Sequence, residues 1–261
     1  MMFLKKPTDL PYRPERIISL VPSQTELLHY LQLDNKVVAM TKFCVHPKEW
    51  FDTKIKIGGT KALDLEKITE LNPDLIIANK EENVKEQIET LARQFPLWLT
   101  DVNNFEDAIQ MINDIGILTG STELADHLNK NINHSFSNLI EENTFKKRAV
   151  YLIWKKPYMT IGGDTFINDM LSKSGFINVF KHRKRYPEIS LQEIADSNCD
   201  VVFLSSEPYP FQQKHIAELQ QALPDKIIKL ADGEMFSWYG SRLLKSAEYL
   251  KNLSESFLEQ M

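Results

Sequence analysis

The side chains of this sequence with the most binding chemistry to offer are its rings, and they gather in a few stretches. Phe43 and Trp50, Trp154 and Tyr158, Tyr186, Tyr209 and Phe211, and Phe236, Trp238 and Tyr239 all stand close to short β-branched runs, in segments that read as loops. Rings grouped this way suit a flat, largely apolar ligand, because stacking and area burial supply affinity while a few polar groups set orientation. Arg242 lies beside Trp238 and Tyr239, and its planar fork suits a propionate, phosphate or carboxylate. Each ring could equally pack beneath its loop, and Arg242 could be a solvated arginine in the first turn of a helix.

Covalent and metal chemistry find less support. Gly58-Gly59 and Gly162-Gly163 are isolated pairs that form neither a dinucleotide fingerprint nor a P-loop, and no Gly-x-Ser-x-Gly elbow occurs. Of the six histidines, His127 and His134 share a helix face two turns apart, too far to chelate one ion. Cys44 and His46 could bind a metal only with a third ligand such as Glu207 or Asp232, and one unmatched pair is a weak signal. The expectation is therefore a binding protein, without catalytic residues, metal or cofactor. With 31 Lys and Arg against 36 Asp and Glu, the net charge of −5 argues against nucleic acid as a partner. The basic run Lys181 to Arg185 is too short to change that, although it could attract an anionic ligand. Cys44 and Cys199 lie far apart and read as ordinary buried thiols.

Short apolar strands alternating with helices must position these residues. Arg16 to Val21 reads as a buried strand, Pro22 ends it, and Ser23 with Glu26 has the spacing of a capping box at the start of a helix. Strands follow at Lys36 to Met40, Leu75 to Ala78 and Leu97 to Thr100, with helices from about Asp64 and over Asn83 to Phe95. Then the alternation stops: Phe105 to Leu118 reads as one helix and Ser121 to about Asn143 as a second, roughly 30 Å long at about 1.5 Å per residue. Strands resume at Arg148 to Trp154, Asp200 to Ser205 and Lys226 to Leu230. Between them lie helices at Phe166 to Lys173 and Lys214 to Leu223, and a final helix runs from about Ser241. Ligands bind open α/β sheets beyond the carboxyl ends of their strands, where most of these rings fall.

One internal echo organises the whole. LDLEKITELNPDLIIA from Leu63 aligns without gaps with ISLQEIADSNCDVVFL from Ile189, matching Asp64 with Ser190, Ile68 with Ile194, and Asp74 with Asp200. Two similar α/β lobes with mainly parallel sheets are expected, over 1–104 and 148–261, joined by a helical connector over 105–147. A single doubly wound sheet with a long insertion is the alternative.

RIISLVPSQTELL from Arg16, HP at His46, IGG from Ile57, the NPDLIIA pattern and the paired ISLQEI and CDVVFL segments occur in the order seen in one family. The chain resembles the solute-binding proteins of ABC-type importers whose two Rossmann-like lobes are joined by one backbone helix. It is most similar to the branch that binds cobalamin and iron siderophores. The resemblance implies capture of a corrinoid, siderophore or heme in a cleft between the lobes, with small opening motions, by a monomer that serves a permease. It puts ring contacts at Phe43 and Tyr186, and Trp154, Tyr158, Trp238, Tyr239 and Arg242 stay the further ligand candidates by their placement and side-chain chemistry. Thr60 and Asn79 stand where the B12 receptor carries tryptophans, a departure from that pattern. Transporter docking is implied for Glu66 and, one position off the matching Gln192, for Glu193, which also completes a capping box with Ser190. A periplasmic location follows from the resemblance. Met1 to Leu10 lack the apolar run of a secretory signal, so the sequence as written reads as a cytoplasmic receptor or carrier of the same fold.

Overall fold

The computed structural model describes residues 1–142 and 146–258, so the expected end of the long helix at Asn143 and the chain's last three residues lie outside it. The chain packs as two compact units. The first comprises Met1–Val102, Glu106–Asn131 and Tyr239–Arg242, and the second comprises Asn103–Phe105, Ile132–Trp238 and the residues from Leu243 on.

In the first unit, strand β1 (Ile17–Ser19) leads into helix α1 (Pro22–Tyr30), followed by β2 (Val37–Met40), α2 (Lys48–Thr53), β3 (Ile55–Lys56) and the hairpin β4 (Gly58–Gly59) and β5 (Ala62–Leu63). Helix α3 (Leu65–Leu71), β6 (Leu75–Asn79), α4 (Lys85–Leu91), β7 (Leu97–Thr100) and α5 (Phe105–Thr119) complete the alternation. Five strands form one sheet in the order β3-β2-β1-β6-β7, with every neighbouring pair parallel. Ile18, Leu20, Ala39, Ile76, Ala78 and Leu97 from the sheet are buried with Ile68, Ile88 and Leu91 from α3 and α4. Each such Ile or Leu is worth about 1.5–3 kcal/mol relative to exposure.

Helix α6 (Thr122–Glu142) is continuous over 21 residues, about 32 Å at the α-helical rise. The second unit then contains β8 (Lys147–Leu152), β9 (Tyr158–Met159), α7 (Phe166–Lys173), β10 (Phe176–Asn178), β11 (Glu188–Ile189), α8 (Leu191–Asp196), β12 (Val201–Ser205), α9 (Gln213–Ala222) and β13 (Ile227–Ala231). Helices α10 (Gly233–Ser237) and α11 (Leu243–Leu258) end the described chain. The main sheet, β10-β8-β12-β13, is again all parallel, while β9 and β11 form a separate antiparallel pair. One face packs Val150, Val202, Leu204 and Ile228 on Ile194 and Leu219. A cluster of rings, Tyr151, Phe176, Phe203, Phe236 and Phe257, holds α10 and α11 to the same unit.

The echo in sequence is an echo in structure. The orders β2-β1-β6-β7 and β10-β8-β12-β13 are the same topology, and both are stitched at the amino ends of their strands in the same way. The Asp74 carboxylate accepts from the backbone N–H groups of Glu15 (2.7 Å) and Arg16 (2.8 Å). The Arg16 guanidinium in turn donates to the Leu71 carbonyl at the end of α3 (2.6 Å). In the second unit, Asp200 accepts from Arg148 N–H (2.7 Å), and the Arg148 side chain donates to the carbonyls of Asn198 (2.9 Å) and Ser197 (3.1 Å). Asn72 (φ 44°) and Asn198 (φ 51°) take the left-handed turn between helix and strand, a conformation asparagine tolerates better than most residues.

Two local expectations change. Ser23 and Glu26 form no capping box: Pro22 at the first helical position makes Val21 the cap residue, and Ser23 is buried inside the first turn. Phe236 lies in α10, fully buried among the rings of the second core, rather than in an open loop. Replacing Asp74 or Asp200 by Ala removes hydrogen bonds to backbone donors at exposed strand starts, and each change is expected to cost about 0.5–1.5 kcal/mol in urea unfolding. Losses within experimental error for both would contradict the stitch.

Candidate ligand-binding site

At the carboxyl end of the first sheet, Phe43 stands three residues past β2 and is 51% exposed. Its ring lies on Gly59, where an added Cβ would come within 2.9 Å of the ring edge, and the Lys42 ammonium sits over it at 5.3 Å from the centroid. A bare glycine backbone thus serves as the seat for the ring. Beside it the strand ends are locked by a buried polar network. Gln24 donates to Thr100 Oγ1 (2.6 Å), Asn79 donates to the same hydroxyl (3.1 Å), and Asn79 Oδ1 accepts from the N–H groups of Glu81 (2.9 Å) and Glu82 (3.1 Å). Asn79 therefore builds the turn after β6, and Thr60 is buried with it. Trp50, grouped with Phe43 in the sequence, is a core residue that donates to Asp34.

The second unit presents more ring surface at the corresponding end. Trp154, two residues past β8, is 40% exposed and meets Tyr209 edge-on at 5.7 Å. Tyr209 contacts Phe211 and His215 in turn. Tyr158 in β9 is half-buried, and burial, followed by the nearby Glu218 carboxylate, raises its phenol pKa. Tyr186 is half-buried with the Arg185 guanidinium over its ring at 5.5 Å, and Arg185 is itself held by Asp164 and Asn103. A cavity of about 440 Å³ opens past β12 and β13, lined by Ser206, Glu207, Phe211, Leu230, Ala231, Asp232 and Glu234.

Trp238 and Tyr239, read as members of a loop, and Arg242, read in the first turn of the last helix, are 7%, 7% and 5% exposed. The Trp238 indole donates to Glu207 Oε1 (2.9 Å), which also accepts from Ser237 (2.6 Å). Arg242 Nε donates to Glu26 Oε2 (2.9 Å), so the chain itself supplies a carboxylate for this arginine. Gly240, at φ 97°, lets that segment lie against Ser23 and Leu27 of α1. The spacing of Glu26 and Arg242 in sequence gave no hint of this pair.

Among the presumptive docking carboxylates, Glu66 is exposed in the first turn of α3. Glu193 is committed locally: it completes a capping box with Ser190 and pairs with Arg183. The Ser190 backbone N–H, then Arg183, lower its pKa to about 2. Cys44 is buried against Thr25 and Thr41, burial pushes its thiol pKa up, and among the described residues no group of three His, Cys, Asp or Glu could hold a metal ion.

Residues 17–229 match the periplasmic binding protein family, and the chain belongs to it. The vitamin B12-binding protein of Vibrio parahaemolyticus is 27% identical over 196 residues, which cover 73% of this chain and 70% of that protein. Among solved structures, the periplasmic vitamin B12 binding protein BtuF of Vibrio cholerae superposes with a TM-score of 0.80 at 20% identity, covering 94% of this chain and 98% of that one. The periplasmic heme-binding protein RhuT of Roseiflexus sp. RS-1, in apo form, gives the same score, identity and coverages. The two-sheet fold is shared with both. No helix among the described residues is long and apolar enough to cross a membrane.

The Glu193 carboxylate has its folded pKa below its ordinary 4.5, so its stabilisation is complete above pH 4.5 and is lost as pH falls toward 2. The difference in Tm between the wild type and Glu193→Gln should therefore be constant from pH 5 to 8 and shrink in more acid buffers. A difference that grows on acidification would contradict the assignment.

Proposed function

We propose that this protein is the solute-binding component of an ABC-type importer and captures a corrinoid, or another metal chelate such as heme or a ferric siderophore, without altering it. The observation that carries this reading is the placement of exposed rings, Phe43 on the first unit and Trp154 on the second, at the carboxyl ends of parallel sheets. Leaving large aromatic surface in water forgoes burial worth about 25 cal/mol per Å², and a stacking ligand recovers it. The names of the relatives support the ligand class: each binds a tetrapyrrole-like metal chelate.

In this reading Phe43, Trp154, Tyr158 and Tyr186 supply stacking surface, and Tyr158 and Tyr186 add phenol groups that orient polar substituents. Trp238 and Arg242 act from behind: Trp238 orients Glu207 at the cavity past β12, and Arg242 braces α1 through Glu26, with Tyr239 buried in the segment between them. Glu66 is the docking carboxylate for a permease. Glu193 serves its helix first and reaches a partner only through the Arg183 pair. The protein works as a monomer outside the cytoplasmic membrane, and capture needs no bond making or breaking.

Equilibrium dialysis against cyanocobalamin, heme and a ferric hydroxamate siderophore tests the reading. One of the three should bind with a Kd in the micromolar range or tighter, and Phe43→Ala and Trp154→Ala should each weaken it about 5- to 30-fold, the equivalent of about 1–2 kcal/mol. Binding unaffected by both substitutions, or no binding of any chelate, would refute it.

A further inference from the structure

The exposed Trp154 does not stand alone. Its edge partner Tyr209 packs on Phe211 (4.7 Å between centroids) and on His215 (5.6 Å), and Phe211 also meets His215 (5.5 Å). His215 ends this chain of rings in the first turn of α9, where it is 5% exposed. Its Nδ1 accepts from the Gln212 N–H at 2.8 Å, closing the cap of α9. An acceptor Nδ1 requires that the proton of the neutral ring be on Nε2, which lies 3.4 Å from Tyr209 Oη. The imidazole therefore ties two things together: the amino end of α9, and the turn that carries Tyr209.

We infer that His215 is a positioning residue which, in its neutral form alone, closes the cap that fixes the turn carrying Tyr209 beside Trp154, so that acidification loosens the aromatic face of the second unit. A proton on Nδ1 would face the Gln212 N–H donor to donor, abolishing the cap and freeing the turn between Tyr209 and Gln212. The surroundings oppose that proton. Lys155, from the loop after β8, and Lys214, on α9, place positive charge nearby, while Glu218 on α9 is the single opposing charge and is engaged by Lys155 at 2.5 Å. Tyr158 from β9, Tyr209, and Lys156, whose charge acts on Glu218, are the other titratable groups around this cluster. Burial first, then the two lysines, lower the His215 pKa from its ordinary 6.5. The sign follows: the cap is complete above pH 6.5, and its contribution is lost as pH falls from 6.5 through the folded value.

The inference rests on the proposed function only in giving Trp154 a ligand to stack on, and its first test needs no ligand. Trp50, Trp98 and Trp238 are buried, so Trp154 dominates collisional quenching of the indole fluorescence by neutral acrylamide. A Trp154→Phe variant assigns the signal. In the wild-type protein the quenching constant should change as pH is lowered from 7.5 to 4, and in His215→Gln, whose amide oxygen accepts from Gln212 without titrating, it should stay flat. The change should parallel a loss of cyanocobalamin affinity of about fivefold in the wild type, the typical value of one helix cap, and no loss in His215→Gln. A flat wild-type profile, or a His215→Gln profile that tracks the wild type, overturns the inference. Absence of cyanocobalamin binding at pH 7.5 would count against the ligand class while the acrylamide arm still decides the role of His215. Should His215→Gln fail to fold, ¹⁵N NMR of the wild-type imidazole decides the matter: a neutral ring protonated on Nε2 at pH 7.5 supports it, and a cationic ring or the opposite tautomer refutes it.

Discussion

A parallel strand entering a sheet leaves backbone N–H groups that its neighbours do not satisfy, and a side-chain acceptor that meets them fixes where the strand begins. In both units an aspartate at the start of one central strand takes up the donors at the start of the next, Asp74 for Glu15 and Arg16, Asp200 for Arg148. An arginine then ties the incoming strand to the end of the preceding helix. The same strand order and the same left-handed asparagine turn accompany that stitch in both units. With the amino ends fixed, the carboxyl ends are the free variables of the fold, and they are where the two units differ.

That division explains the distribution of chemistry. The first unit closes its strand ends with a polar network, Gln24, Asn79 and Thr100, and leaves Phe43 as the exposed ring seated on Gly59. The second unit closes its own with aromatic and acidic residues, so that Trp154, Tyr209, Phe211 and His215 form a chain of rings and Glu207 receives the Trp238 indole. The exposed rings Phe43 and Trp154 thus stand on loops outside the sheets. This lets ring identity vary with little risk to the sheets, and a family that binds several metal chelates with one fold needs that freedom.

Much of the architecture could be read from residue patterns. Ile17 to Ser19, Leu75 to Asn79 and Val201 to Ser205 are β-branched runs short enough to be strands, and they are. Helix α7 falls at Phe166–Lys173 as its periodicity predicts, and Asp64 and Ser190 cap the echo helices. The signals that failed were those in which two local rules competed. Pro22 and Ser23 both claim the start of α1, and proline prevailed because its fixed φ suits the first helical position. The brief strands β9, β10 and β11 and helix α10 carry too few residues for any period to show.

Sequence alone therefore determined the duplication and the parallel α/β class, and it singled out the rings as the candidate binding chemistry, because these depend on residue type and spacing along the chain. Only the tertiary structure decided which rings face water. Phe43 and Trp154 do, whereas Trp50, Phe236, Trp238 and Tyr239 are buried. It also decided that Arg242 meets Glu26, 216 residues away, and that His215 answers to Gln212 and Tyr209. The physical reason is that exposure and ion pairing are properties of what packs across a side chain, and that partner comes from elements far off in the chain, about which a local pattern carries no information.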